Sequence, residues 1–237
     1  MTNKLLLLIG LALFSCKRKE VTSTNDTAET DPITETIQPD TIATPAGFQK
    51  IGEATGDLDK DGQEEKVMVF NTDRMTDFGY EREIHVFKKE EGAWKLWQRS
   101  STAVLPSEQG GTMGDPFEDI SIENGAIVIK HLGGSRQKWS YTHRFRFQNS
   151  KWELIGASVE FGSRCDYWEY FDYNLSTGKI NYKKETEICD EVTNEMKTTV
   201  TAEESFTFKL KKLPVMDGFR PGETGVMTPE SEETIYY

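Results

Sequence analysis

Hydrophobic and polar residues alternate with period two along most of the chain. Trp139, Tyr141, His143, Phe145 and Phe147 fall on one face of a single run, and Ser140, Thr142, Arg144 and Arg146 fall on the other. Such alternation marks a β-strand with one buried face. Phe206, Phe208 and Leu210 alternate in the same way with Thr207, Lys209 and Lys211. Val67 to Phe70 is apolar on both faces, as a central strand would be, and Ile127 and Ile129 flank Val128. Turn signals separate these runs: Glu91-Gly92, Asn124-Gly125, Asn149-Ser150 and Ser176-Thr177-Gly178-Lys179. Asn-Gly is a strong hairpin signal because both residues tolerate positive φ. The spacing predicts about ten to twelve strands between Phe48 and Leu213, arranged as an antiparallel meander. The predicted fold class is all-β, as a two-sheet sandwich, an open barrel or a few propeller-like blades. Glu187 to Lys197 is compatible with a short helix, but Thr198 to Thr201 pull toward strand.

The two ends depart from this pattern. Residues 1–15 hold one Lys, Lys4, and then an apolar run from Leu5 to Phe14 that is too short to span a bilayer. It fits the hydrophobic region of an export signal. The run ends Leu13-Phe14-Ser15-Cys16. This resembles the lipobox of bacterial lipoproteins. The resemblance implies cleavage before Cys16 and acylation (palmitate among the chains) of that cysteine, which would anchor the mature protein to a membrane. Lys17 after the cysteine, in place of Asp, is similar to patterns that send lipoproteins to the outer membrane. Residues 16–46 then read as a disordered, lipidated tether. From Glu20 to Pro45 there are eight Thr, three Pro and no aromatic residue, too little apolar surface to offset ordering entropy. The predicted β domain occupies 47–213, and 214–237 reads as an irregular tail.

Composition narrows the function classes. The formal net charge is -12, which argues against a nucleic-acid partner, because phosphates reward clustered Lys and Arg. Five Trp, eight Tyr and thirteen Phe require a real core, so the acidity does not signify a wholly disordered chain.

The sharpest chemical motif is Gly56-Asp57-Leu58-Asp59-Lys60-Asp61-Gly62-Gln63-Glu64-Glu65. Carboxylates at 57, 59 and 61 converge if the chain coils about one point, and Gly62 permits the turn. The carbonyl of Gln63 and the carboxylate of Glu65 can complete an oxygen shell suited to Ca2+. The spacing follows the first nine positions of an EF-hand loop and departs at the twelfth, where Met68 stands. The stretch resembles the calcium loop of FG-GAP and VCBS-type β repeats, in which DxDxDG lies between two strands. That likeness implies Glu65 as the closing ligand and a structural ion. The passage from the Gly-rich segment Pro106 to Phe117 through Gly156 resembles exported bacterial β proteins, which implies no particular activity.

Other candidates are sparser. Cys165 and Cys189 flank the Ser176 to Lys179 turn nearly symmetrically, and an oxidising compartment favours their pairing as a disulfide. In Tyr167 to Tyr173, a face bearing Trp168, Tyr170 and two acids can stack a sugar or peptide. His143 belongs to the aromatic face of its strand, whereas His85, between Ile84 and Val86, is expected to face solvent. No HExxH, GxSxG or GxGxxG pattern is present. The reading is a cell-envelope lipoprotein whose Ca2+-stapled β domain binds a glycan, a peptide or an envelope protein without catalysis. A lipid-anchored hydrolase acting on glycan or peptide through carboxylates is the alternative.

Overall fold

The computed structural model describes residues 41–190, 192–193 and 195–237. The expected export signal, Cys16 and most of the tether lie outside the described residues. Four strands, β1 (Gln49–Gly56), β2 (Glu65–Thr76), β3 (Gly79–Glu90) and β4 (Ala93–Ser100), form one antiparallel sheet in chain order. Seven more, β5 (Phe117–Glu123), β6 (Ala126–Gly134), β7 (Lys138–Gln148), β8 (Lys151–Ser163), β9 (Tyr167–Asn174), β10 (Lys179–Cys189) and β11 (Met196–Thr207), form a second, again in chain order. Among the described residues there is no α-helix, and neither sheet closes into a barrel. The fold is the all-β meander that the alternation predicts, split into two sheets.

The turn chemistry explains much of the order. Asn124 and Gly125 have φ of 53° and 74°, and Asn149 and Ser150 have 53° and 58°. Positive φ at both central residues matches the right-handed twist of the strands they join. A long connection, residues 101–116, carries the chain from one sheet to the other. It enters the interior near its start, where Ala103, Val104 and Leu105 are buried. Arg82 on β3 pins it there. Its guanidinium is wholly buried and donates to the Leu105 carbonyl (3.3 Å), to Asn71 Oδ1 (2.9 Å) and to both carboxylate oxygens of Asp115 (2.8 and 2.5 Å).

One core serves both sheets. Val67, Val69, Ile84 and Val86 of the smaller sheet pack with Ile127, Ile129, Phe145 and Leu154 of the larger. Trp97 on β4 meets Phe147 and Trp152, with ring centroids 4.6 and 5.1 Å apart. The reverse face of the small sheet is covered too. Met68, Phe70 and Phe87 pack there with Ile42, Phe48 and Trp94. That cover corrects the expectation for His85. Its ring lies buried beside Phe70, Phe48 and Phe87, with Nε2 2.7 Å from Glu83 Oε2.

Three further expectations change. Among the described residues of 187–197 there is no helix: β10 runs to Cys189 and β11 starts at Met196. The strand expected through Leu210 stops at Thr207, where the Phe208 N–H donates to the Gly178 carbonyl (2.8 Å) and the chain leaves the sheet. The tail is not irregular throughout. It forms a hairpin of β12 (Gly225–Met227) and β13 (Thr234–Tyr236), and Met216, Phe219, Val226, Ile235 and Tyr237 join the core.

Candidate functional site

The acidic motif closes the β1–β2 hairpin, between Gly56 and its register partner Glu65. Leu58 points inward and joins the core, which holds the loop down at its second residue. Lys60 and Gly62 take φ of 65° and 84°, so the backbone coils on itself. The coil gathers one carboxylate oxygen each from Asp57, Asp59 and Asp61 within 4.8 Å of one another.

The loop's own amides stabilise these anions. Asp57 accepts from the N–H groups of Lys60 (2.6 Å) and Gly62 (3.1 Å). Asp59 accepts from the Asp61 N–H (3.3 Å), and Asp61 from the Gln63 N–H (2.8 Å). The Gln63 amide and the Lys88 ammonium hold the Asp61 carboxyl below its usual range. Gln63 also turns its side-chain amide toward Asp61.

Glu65 differs from its neighbours. Its residue is wholly buried, and Oε2 accepts from the Leu58 N–H at 2.7 Å. Oε1 is buried without any hydrogen-bond partner. Burial pushes its carboxyl upward, the Leu58 amide opposes this, and the charges of Asp59 and Asp61 add to the rise. Asp61, Glu83 and Asp115 are, by contrast, held below the usual carboxylate range. A buried carboxylate with a spare oxygen beside three aspartates is a set of hard oxygen donors that suits a divalent cation.

Lys88 is the member that motif reading missed. It lies on β3, and its ammonium binds Asp59 and lies 3.0 Å from Asp61 Oδ2. Both contacts raise its pKa. A cation seated among the three aspartates must displace this ammonium. Only the pairing of β2 with β3, which sets Phe87 opposite Lys66, brings the next residue, Lys88, to the loop, so no local spacing announces it.

The remaining candidates are spread out. Cys165 and Cys189 are bonded, with S–S of 2.09 Å, and join the β8–β9 turn to the end of β10. Tyr170 is exposed at 36% and lines a shallow groove of about 360 Å³ with Glu160, Asp172, Asn181 and Lys183. Trp168 is half-buried and is not part of that lining. The two acids expected beside these rings also separate. Asp172 shares the outer face, whereas Glu169 is buried on the inner one.

An all-β domain with a carboxylate loop between two strands is the class of protein that fold and site define. No family model, curated protein or solved structure matches the chain.

Proposed function

We propose that the protein is a lipid-anchored module of the bacterial cell envelope, facing the periplasm or the cell surface, whose β domain is stapled by Ca2+ and binds a ligand without transforming it. The carrying observation is Glu65, a buried carboxylate with one unpartnered oxygen beside Asp57, Asp59 and Asp61. Ca2+ would take oxygen ligands from these four residues and from Gln63, and its two charges would replace the ammonium of Lys88. The ion's role is structural: it would fasten the β1–β2 loop to the end of the sheet. The lipobox-like Leu13 to Cys16 and the Thr-rich tether support the anchored reading. Among the described residues no helix is long and apolar enough to cross a membrane.

Binding is favoured over hydrolysis by the company that one carboxylate pair keeps. Glu169 and Glu233 line an aromatic groove, and the ammonium of Lys184 bridges both, at 3.1 and 2.8 Å. Hydrolysis of a glycosidic bond needs one such carboxyl to carry a proton and the other to be free. Titration calorimetry with CaCl2 tests the ion reading. The expected result is one site per chain, lost in Asp59→Ala. No heat in the wild type, or unchanged heat in that variant, overturns it. Mass spectrometry of the membrane-extracted protein tests the anchor, with acyl mass expected on a peptide that begins at Cys16.

A further inference from the structure

The aromatic face of β7 runs out of the core at one end. Phe145 and His143 are buried, while Tyr141 and Trp139 are half-buried. There a groove of about 340 Å³ opens between the inner face of the seven-stranded sheet and the tail hairpin. Its floor is one cross-strand row. Trp139 pairs with Phe161, Phe161 with Glu169, and Glu169 with Lys184. Tyr141 and Tyr167 occupy the flanking rows. The hairpin supplies the opposite wall from Glu233 to Tyr236. Glu204 secures that wall by accepting the N–H groups of Glu230 (2.9 Å) and Ser231 (2.8 Å).

The rings are placed by small neighbours. Gly133 is the register partner of Trp139, and a Cβ there would stand 2.2 Å from the indole. Trp139 and Tyr141 have centroids 5.0 Å apart, and Phe161 and Tyr167 are 6.1 Å apart. Polar groups are set among them. Glu169 is 8% exposed, and its Oε1 accepts from Tyr182 Oη at 2.9 Å. Among the described residues its Oε2, the Trp139 indole N–H and the Tyr141 hydroxyl have no hydrogen-bond partner. Lys184 lies 4.7 Å over the Tyr167 ring, between the two glutamates.

We propose that this groove binds a neutral saccharide, with a ring face laid on Trp139 and Phe161 and hydroxyl groups bonded by Glu169 Oε2 and the Trp139 N–H. The volume lies at the low end of small-molecule sites, about 300–1,000 Å³. Aromatic faces take the C–H face of a sugar ring, and spare carboxylate and indole groups serve its hydroxyl rim. A small organic cation would compete with the ammonium of Lys184, which already lies between the two carboxylates. An anionic ligand would meet two carboxylates and a single ammonium. The proposal rests on the binding-module reading above.

The test is NMR of the folded protein labelled at the Trp indoles, titrated with cellobiose, maltose, lactose and N,N′-diacetylchitobiose. At least one sugar is expected to shift the Trp139 Nε1–H signal and to leave that of Trp94 in place. Trp139→Ala and Glu169→Gln should each weaken binding about tenfold, and Tyr170→Ala, on the other face, less than about twofold. If Trp139→Ala fails to fold, Phe161→Leu keeps an apolar side chain, removes a ring and should weaken binding in the same direction. Gly133→Ala should do so by displacing the indole. The proposal is overturned if none of the four sugars moves Trp139, if glycerol at equal concentration moves it as much, or if affinity survives in the folded groove variants. Cleavage of a sugar with Trp139 shifted would keep the groove and overturn the non-catalytic reading. Loss of Ca2+ binding alone would leave the groove standing.

Discussion

Two buried charged side chains in this protein are satisfied to opposite degrees. Arg82 is wholly enclosed, and its guanidinium is met by a carbonyl, an amide oxygen and a bidentate carboxylate. Glu65 is equally enclosed, yet one of its oxygens has nothing to bond. An unmet buried polar atom costs about 1–3 kcal/mol. A fold that can saturate Arg82 and leaves Glu65 open places that cost where a cation can remove it. The first arrangement pins the crossing between sheets; the second is the observation on which the proposed cation site rests.

That contrast can be broken experimentally. The largest expected effect is that of the metal. At about a hundredfold excess over Kd, Ca2+ should stabilise the fold by about 2.7 kcal/mol. Thermal melts with Ca2+ and with chelator should show this gap in the wild type, and no gap in Glu65→Gln. Equal melts in the wild type would place Glu65 among merely strained residues.

Next comes the saturated partner. Asp115→Ala should cost about 2 kcal/mol, because a charged hydrogen-bonded pair is lost while Asn71 and Leu105 remain. Denaturant titration should find the same loss with and without Ca2+. A loss that depends on Ca2+ would show that the two sites are not independent.

Histidine supplies a third case, neutral and unpaired. Both ring nitrogens of His143 are buried without partners, and burial lowers its pKa well below the usual value. Burial, and then the charge of Arg82, lowers that of His131 to about 3. The unfolded chain takes up protons on both below about pH 6.5, and the folded chain does not. Stability is therefore full above that pH and falls as pH drops toward 3. His143→Phe should narrow the difference in stability between pH 6.5 and pH 5.5 by about 1 kcal/mol. An unchanged difference would mean that His143 is protonated in the fold.

The smallest effect concerns Lys88. Removing its ammonium in Lys88→Met should tighten Ca2+ about threefold, since its ion pairs are partly exposed and each is worth well under about 1 kcal/mol. Weaker binding would show that Lys88 organises the aspartates rather than competing for them.

How much of this was legible in the chain differs by region. The meander could be read because strand alternation and hairpin turns are local. Asn124-Gly125 and Asn149-Ser150 adopt the positive φ that such turns need. The coil of the Asp57 to Glu65 loop is equally local, since its own amides bond its own carboxylates. His85 departs from its expected solvent face because its cover comes from Phe48, which lies before β1 and across the sheet. The aromatic groove is not legible in the sequence, where Trp168 and Tyr170 stand out instead. Alternation alone puts Tyr167 and Glu169 on the opposite face, but only the returning tail turns that face into a groove.

Period-two patterning, turn chemistry and the DxDxDG spacing thus determine the strands, their order and the shape of the acidic loop, because each acts over a few residues. Tertiary structure alone decided which carboxylate lost its solvent, which lysine entered the loop and which aromatic face stayed open. Those outcomes depend on segments far apart in the chain, brought together by the burial of a common core.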